Sequence, residues 1–568
     1  MIALSPLFVL SFAIIVLLYF LFILKIGAKW CAILTVCSLS CALLLAVIIG
    51  YQISVNSQII TDISSDNMQI SITQPTQPTE ETSASSNEET IAIDAVPTEA
   101  TSQPEANTNE NVDNNTDVQK NNEPQKVEES SNDWEASHIT ALFTCDVYGL
   151  LYTSLVLIIS IIVACLAYSW FKHDQLRHGL FYVILMFMTL GGVTLVYASH
   201  LIAFFIGIEL LSIPFVGLIG YQYIQTHSLE AAIKYMILSA VASAFLLLGI
   251  AFYYATTGEL TFSGLSYQLS TMSYPSTLLL MGVCLMLVGI GFKLSLVPFQ
   301  LWLPDVYQGS PTVVALLLST VGKVAVFCAI ARLFLLAPIV NNETIRIILV
   351  VMAFCSILWG SLLALVQSNV KRLLAYSSIA HFGYLLIALI AVQYQVLALE
   401  TIGVYIIGYI LANICVLGVI SLESHSDELQ DHENEIDLSG LFWRRPILAL
   451  AMGIGLLSLA GTPLTVGFIG RFLLVLLGVT AELWWLIGAV VIGSALGLYF
   501  YARLIINLYI RPISREDQPL TDTFIKLKWR DIGISEVFIV LSALIILLCG
   551  IYPKWLFSLV SMAQYLTT

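Results

Sequence analysis

The chain has 568 residues, of which 58% are hydrophobic and 11% charged. Soluble globular chains carry about 25% charged residues, so a soluble domain is excluded and no nucleic-acid partner is expected. The formal net charge of −15 belongs to one segment: residues 52–137 hold 17 acidic and two basic side chains, and the rest of the chain is neutral.

Fourteen apolar runs are predicted as spans, each near the roughly 20 residues that cross about 30 Å of hydrocarbon as helix. They fall near 5–26, 30–51, 147–170, 178–197, 200–221, 229–256, 276–306, 312–338, 344–366, 371–393, 396–421, 446–479, 482–509 and 534–556. The first lacks a basic leader and a small-residue cleavage site, so it reads as a retained helix. The segment 52–137, rich in Ser, Thr, Asn, Gln, Glu and Pro, cannot bury enough apolar surface to offset its chain entropy and is predicted to be disordered. The seventh span is interrupted by Pro298 and the twelfth by Gly461-Thr-Pro463. These breaks lie five spans apart, and an odd number of helices per unit reverses its direction; matched broken helices in inverted repeats mark transporters. The expectation is an all-α polytopic membrane protein of about fourteen transmembrane helices, with two inverted five-helix repeats that each contain a broken helix. The divisions are 1–51 (two helices), 52–137 (acidic insertion), 138–177 (third helix and loop), 178–338 and 339–509 (the repeats) and 510–568 (loop and last helix).

Basic residues collect in alternate loops: Lys25 and Lys29; Lys172 and Arg177; Lys371 and Arg372; Arg444 and Arg445; then Arg503, Arg511, Arg515, Lys526, Lys528 and Arg530. The positive-inside rule makes these cytoplasmic, so both termini and the insertion are expected outside. Most of the ten cysteines lie in apolar runs without C-x-x-C spacing and read as small buried hydrophobes. Neither zinc nor an iron–sulfur cluster is expected in this chain.

Ionisable residues inside spans are costly and mark function. Glu209 is surrounded by apolar residues; it must pair or take up a proton. Lys234, six residues into the next span, is expected within reach of Glu209, the bland alternative being a lysine snorkelling to the interface; Glu230 reads as an interfacial charge. Lys293 lies five residues before Pro298, a cation beside a broken backbone ladder that lipid cannot repair. Lys323 lies deep in the eighth span, where burial favours a neutral, proton-exchanging amine. His381 and Tyr384, one turn apart, would line a water path with Ser377 and Ser378; Asn413 is a weaker candidate. Arg471 cannot release its proton and is expected to gate or bias its neighbours. Lys371 and Arg372 are read as cytoplasmic anchors.

Five stretches carry a resemblance: GIELLSIP at 207–214, SLEAAIKY at 228–235, GFKLSLVPFQLWLPDVYQGSP at 291–311, QSNVKRLLAYSSIAHFGY at 367–384 and SLAGTPLTVGFIGRF at 458–472. Together they resemble the proton-translocating, antiporter-like membrane subunits of respiratory complex I, the bacterial NADH:quinone oxidoreductase. The run D-V-Y-Q-G-x-P favours the N-type branch over its L- and M-type paralogues. The resemblance covers residues from about 147 to 509. It implies a proton-translocating subunit of a translocase with no redox centre of its own. NADH, FMN, iron–sulfur clusters and quinone would then belong to partner subunits. It also implies a neighbouring antiporter-like subunit and small membrane subunits as partners in the bilayer, and a place in the bacterial inner (cell) membrane. By motif position, Glu209 and Lys234 resemble a coupled pair, Lys293 the central lysine, Lys323 the connecting lysine and Arg471 the terminal, outward lysine. Two departures stand out: Gln300 replaces a family histidine and Arg471 a family lysine. The rival readings are a membrane subunit of a multi-subunit cation/proton antiporter and a structural scaffold without ion traffic.

Overall fold

The structure, a computed structural model, describes residues 4–22, 27–72, 137–140, 142–171, 179–223, 225–265, 277–337, 342–392, 397–424, 434–510 and 533–561. The disorder expected over 73–136 lies outside them, as do Lys25, Lys172, Arg177 and the basic residues of 511–532. The chain divides into two units, Met1–Ser57 with Glu135–Thr568 and, separately, Gln58–Trp134. In the second, the described residues belong to helix α2 (Ala28–Ile72). Within the insertion expected from residue 52, residues 52–72 continue this helix. No Gly or Pro interrupts residues 51–72, and the first prolines follow at Pro75 and Pro78.

Among the described residues, the regular structure of the larger unit is helical apart from a short antiparallel ribbon, β1 (Ser137–Thr140) with β2 (Phe143–Cys145). Its helices are α1 (Ser5–Phe22), the start of α2, α3 (Val147–Trp170), α4 (Gly179–Val196), α5 (Leu201–Ile219), α6 (Thr226–Thr257), α7 (Thr277–Leu294), α8 (Trp302–Gly309) and α9 (Thr312–Leu336). They continue as α10 (Glu343–Val366), α11 (Val370–Ala391), α12 (Leu397–Glu423), α13 (Pro446–Ala460), α14 (Val466–Thr480), α15 (Trp484–Tyr509), α16 (Ile534–Ile551) and α17 (Lys554–Ser561). Thirteen described helices are long and apolar enough to cross a membrane; α13 and α14 together take the place of the predicted twelfth span. The protein is an all-α polytopic membrane protein.

Both expected breaks occur. Helix α7 stops where Ser295 turns to φ 60° before Pro298, and α8 starts at Trp302. Helix α13 stops at Gly461, φ 74°, whose N–H returns to Leu457 and Ser458, a left-handed helix end of the kind glycine favours. Side chains repair the backbone of the first break: Trp302 Nε1 donates to the Phe292 carbonyl at 3.2 Å, and Ser356 Oγ accepts from Val297 N at 2.9 Å. Protein thus supplies the partners that hydrocarbon cannot.

The packing pairs recur. Helix α4 packs on α5 and α9, and α6 on α7 and α8; likewise α10 packs on α11 and α15, and α12 on α13 and α14. The two sets meet through α8 with α11 and α9 with α12. At this junction α9 is buried throughout, and α11 and α12 nearly so, so the polar groups they carry must find partners inside the protein.

Candidate functional site

The first buried cluster joins α5, α6 and α7. Lys293 is 6% exposed, and its Nζ donates to Ser212 Oγ and Ser239 Oγ, both at 2.7 Å. Glu209 stands one turn from Ser212 on α5, and Ser243 one turn from Ser239 on α6, so each pair shares a helix face. Ser243 Oγ makes a close hydrogen bond to Glu209 Oε1, so the Glu209 carboxyl and the Lys293 amine are held by neighbouring hydroxyls on the same two helix faces. Tyr235, one turn before Ser239, completes the polar stripe.

Lys234 is not part of this cluster, which corrects the expected Glu209–Lys234 pair. Its Nζ pairs instead with Glu230 at 2.8 Å and Asp305 at 3.1 Å. Side-chain direction explains the difference. Helical side chains lean toward their own N-terminus. On antiparallel α5 and α6, Glu209 therefore leans away from the connecting turn and Lys234 toward it. Glu209 meets Ser243, nine residues beyond Lys234 and so about 13 Å further along α6.

The second lysine lies deeper. A π turn at Leu318–Gly322 immediately precedes Lys323, a distortion that often marks functional positions. Lys323 is 1% exposed. Its Nζ makes a close hydrogen bond to Ser378 Oγ on α11 and lies 5.0 Å from the Phe382 ring centroid. One cavity is lined by both Lys293 and Lys323, together with Phe215, Tyr235, Trp302 and Gly322. Gln300 is buried at the break, and its Oε1 meets no donor among the described residues.

The third cluster lies between α11, α12, α14 and α15. His381 Nδ1 bonds Tyr405 OH at 2.6 Å, and Nε2 faces Tyr501 OH at 3.3 Å; Tyr501 also makes a close bond to Ser377. Arg471 donates to the Ala460 carbonyl at 2.5 Å and to the Leu459 carbonyl at close range. These acceptors are in the last turn of α13, where carbonyls are left free and a cation is favoured. Its guanidinium lies 5.4 Å from the Tyr384 ring centroid. A Cβ at Gly461 would fall 2.6 Å from Arg471 Cδ, so glycine is needed both for the turn and for this approach. A second cavity is lined by His381, Tyr405, Ser458 and Arg471. Asn413 donates to the Tyr409 carbonyl one turn earlier at 2.8 Å, a bond within its own helix.

The two basic residues expected as cytoplasmic anchors both have partners within the protein. Lys371 is not a solvated anchor: it is 1% exposed and donates to the Ser310 carbonyl at 2.9 Å. Arg372 donates to Asp305 at 2.8 Å and to Gln308 at 3.0 Å. One buried ion pair escaped the sequence reading altogether. Arg332 meets Asp146 at 2.6 Å, their side chains 1% and 8% exposed. Asp146 also caps α3 by accepting from Gly149 N. Its only sequence signal was a lone arginine near the end of an apolar span.

A family model described as NADH:quinone oxidoreductase/Mrp antiporter, TM, matches residues 198–497. Among solved structures, a chain of respiratory complex I from Thermus thermophilus with bound aureothin has a TM-score of 0.68 at 24% identity, over 97% of this chain and 98% of that one. A chain of the archaeal membrane-bound sulfane sulfur reductase gives 0.65 at 23% identity, over 74% and 82%. A chain of the Mrp complex from a Dietzia species gives 0.61 at 17% identity, over 73% and 83%. These likenesses are of fold, while the family model spans more than half of the sequence. The chain therefore belongs to the NADH:quinone oxidoreductase/Mrp antiporter transmembrane family, as an antiporter-like membrane subunit.

Proposed function

We propose that the chain is a proton-translocating N-type subunit of a NADH:quinone oxidoreductase. The observation that carries this reading is the single cavity between two buried lysines, each held by hydroxyls rather than by a neutralising carboxylate. A structural lysine would be expected to pair; one held by hydroxyls can exchange its proton with water admitted to the cavity.

In this mechanism, charge displacement in the redox subunits reaches Glu209. An ionised Glu209 favours the ammonium form of Lys293; loss or withdrawal of that charge releases the proton toward Lys323. From there Ser378, His381 and Tyr405 carry it onward. Arg471 keeps its own proton and stays on the α13 carbonyls, and its positive charge favours departure of a proton from His381. Gln300 holds water but takes no proton. An opposite charge within about 4–6 Å changes proton affinity by roughly 1.4–4 kcal/mol. Moving one charge against 100 mV costs about 2.3 kcal/mol, so the lever is sufficient.

The rest of the reading follows from the same proposal. The repeated packing of α4–α9 in α10–α15 supports two five-helix units of opposite direction. The basic loops face the cytoplasm of a bacterial cell, with both termini and the acidic insertion outside. NADH, FMN, iron–sulfur clusters and quinone act in partner subunits, and a second antiporter-like subunit is the membrane neighbour. The family also includes Mrp antiporters, so a cation/proton antiporter subunit is the competing assignment. Mild-detergent purification of the tagged chain, with mass spectrometry of its companions, separates the two. Iron–sulfur and flavin subunits are expected to co-purify; a set of membrane subunits with no redox protein would assign it to the antiporters.

A further inference from the structure

Outside the buried clusters, the charges form a connected strip. Glu230 pairs with Lys234 on α6, Lys234 reaches Asp305 Oδ2 on α8, and Arg372 on α11 holds Asp305 Oδ1. Arg372 also donates to Gln308 and, at 3.3 Å, to Gln367. Lys371 beside it grips Ser310. The first turn of α11 thus clamps α8 and its exit, and Ser378 on the same helix holds Lys323. Asp305 is the one carboxylate in the strip that touches cations from both packing sets.

The exposures bear on its role. Lys234, Asp305 and Arg372 have side chains 43%, 36% and 28% exposed. Partly solvated pairs contribute little to stability, so these contacts can rearrange at small cost. Each oxygen of Asp305 takes one cation. Were Lys234 to leave, both oxygens would be open to the forked guanidinium of Arg372, and its bonds to Gln308 and Gln367 would be drawn away.

We propose that Asp305 is a positioning residue: it holds the Lys234 charge at the α8 end of α6, apart from the Glu209–Lys293 cluster, and reports the presence of that charge to α11 through Arg372. The observed arrangement of Arg372 and the one with both Asp305 oxygens would be the two states that such coupling requires. The coupling deepens the proton-translocation reading and rests on it; the pairing does not.

The test uses the intact complex in membranes. Treatment with a zero-length carbodiimide joins amines to carboxylates in contact. Mass spectrometry is expected to find Lys234 joined to Asp305, with Asp305→Asn removing that product. A Lys234–Glu209 product in its place overturns the proposal. In pumping assays, Asp305→Asn is expected to lower protons moved per electron about two- to fivefold, the scale of one partly solvated ion pair. Asp305→Glu should restore most of this, and the exchange Lys234→Asp with Asp305→Lys should exceed Asp305→Asn alone. If Asp305→Asn pumps normally while Lys293→Ala does not, the coupling fails and the translocation reading stands. If Lys293→Ala also pumps normally, the translocation reading itself fails. Should Asp305→Asn not assemble, the cross-link in the unaltered complex and the Asp305→Glu variant still decide.

Discussion

Lys293→Ala and Lys323→Ala are each expected to abolish coupled proton movement in complexes that still assemble. Both amines are held by hydroxyls, and Glu209 keeps its hydrogen bond from Ser243 when Lys293 is replaced. Ser212 already donates to the Ile208 carbonyl at 2.5 Å, which leaves it satisfied without the lysine. Assembly should therefore survive while the proton-carrying group is lost, by roughly 10²-fold or more on the scale of a positioned acid–base group. Lys323→Arg should fail almost as badly, because a guanidinium keeps its proton. The measurement is dye quenching in inverted vesicles, normalised to NADH oxidation and to the amount of complex on a native gel. Full quenching by both alanine variants would favour the scaffold reading.

The second large effect concerns folding. Asp146→Ala leaves Arg332 buried without its counter-ion, which costs about 3–5 kcal/mol when one member of a buried pair is removed. It also uncaps α3, a further cost of about 1 kcal/mol. A sharp fall in assembled complex and in thermal midpoint in detergent is expected. Adding Arg332→Leu should recover much of the loss, since apolar replacement of both partners is often nearly neutral. The pair touches none of the three clusters, so whatever complex assembles should pump normally per molecule. A double variant no better than Asp146→Ala would show that the cap, not the ion pair, holds this corner.

Much of the fold was legible because lipid imposes severe constraints. A backbone break inside hydrocarbon must be buried in protein, and Pro298 and Gly461 marked both breaks. A charge in a span is expensive, and that cost singled out Glu209, Lys293, Lys323 and Arg471, which all lie in the clusters described. What failed was direction and pairing. Hydropathy places Glu209 and Lys234 on neighbouring helices, yet the tilt of their side chains sends one to Ser243 and the other to Asp305. Counting basic residues at span ends made Lys371 an anchor, whereas it is buried against Ser310. The tyrosines around His381 come from α12 and α15, 24 and 120 residues away, and Asp146 lies 186 residues from Arg332. No local pattern reports such separations. The continuation of α2 to Ile72 goes with the lack of any Gly or Pro over 51–72, which a reading by polarity alone does not weigh.

The most direct trial of the buried proton route is a high-resolution density map of the complex in a lipid nanodisc. The account predicts both ammonium groups directed inward, Lys293 on Ser212 and Ser239, Lys323 on Ser378, with ordered water filling the cavity between them. Amines turned out toward lipid headgroups, or a dry and closed space between the two, would contradict it.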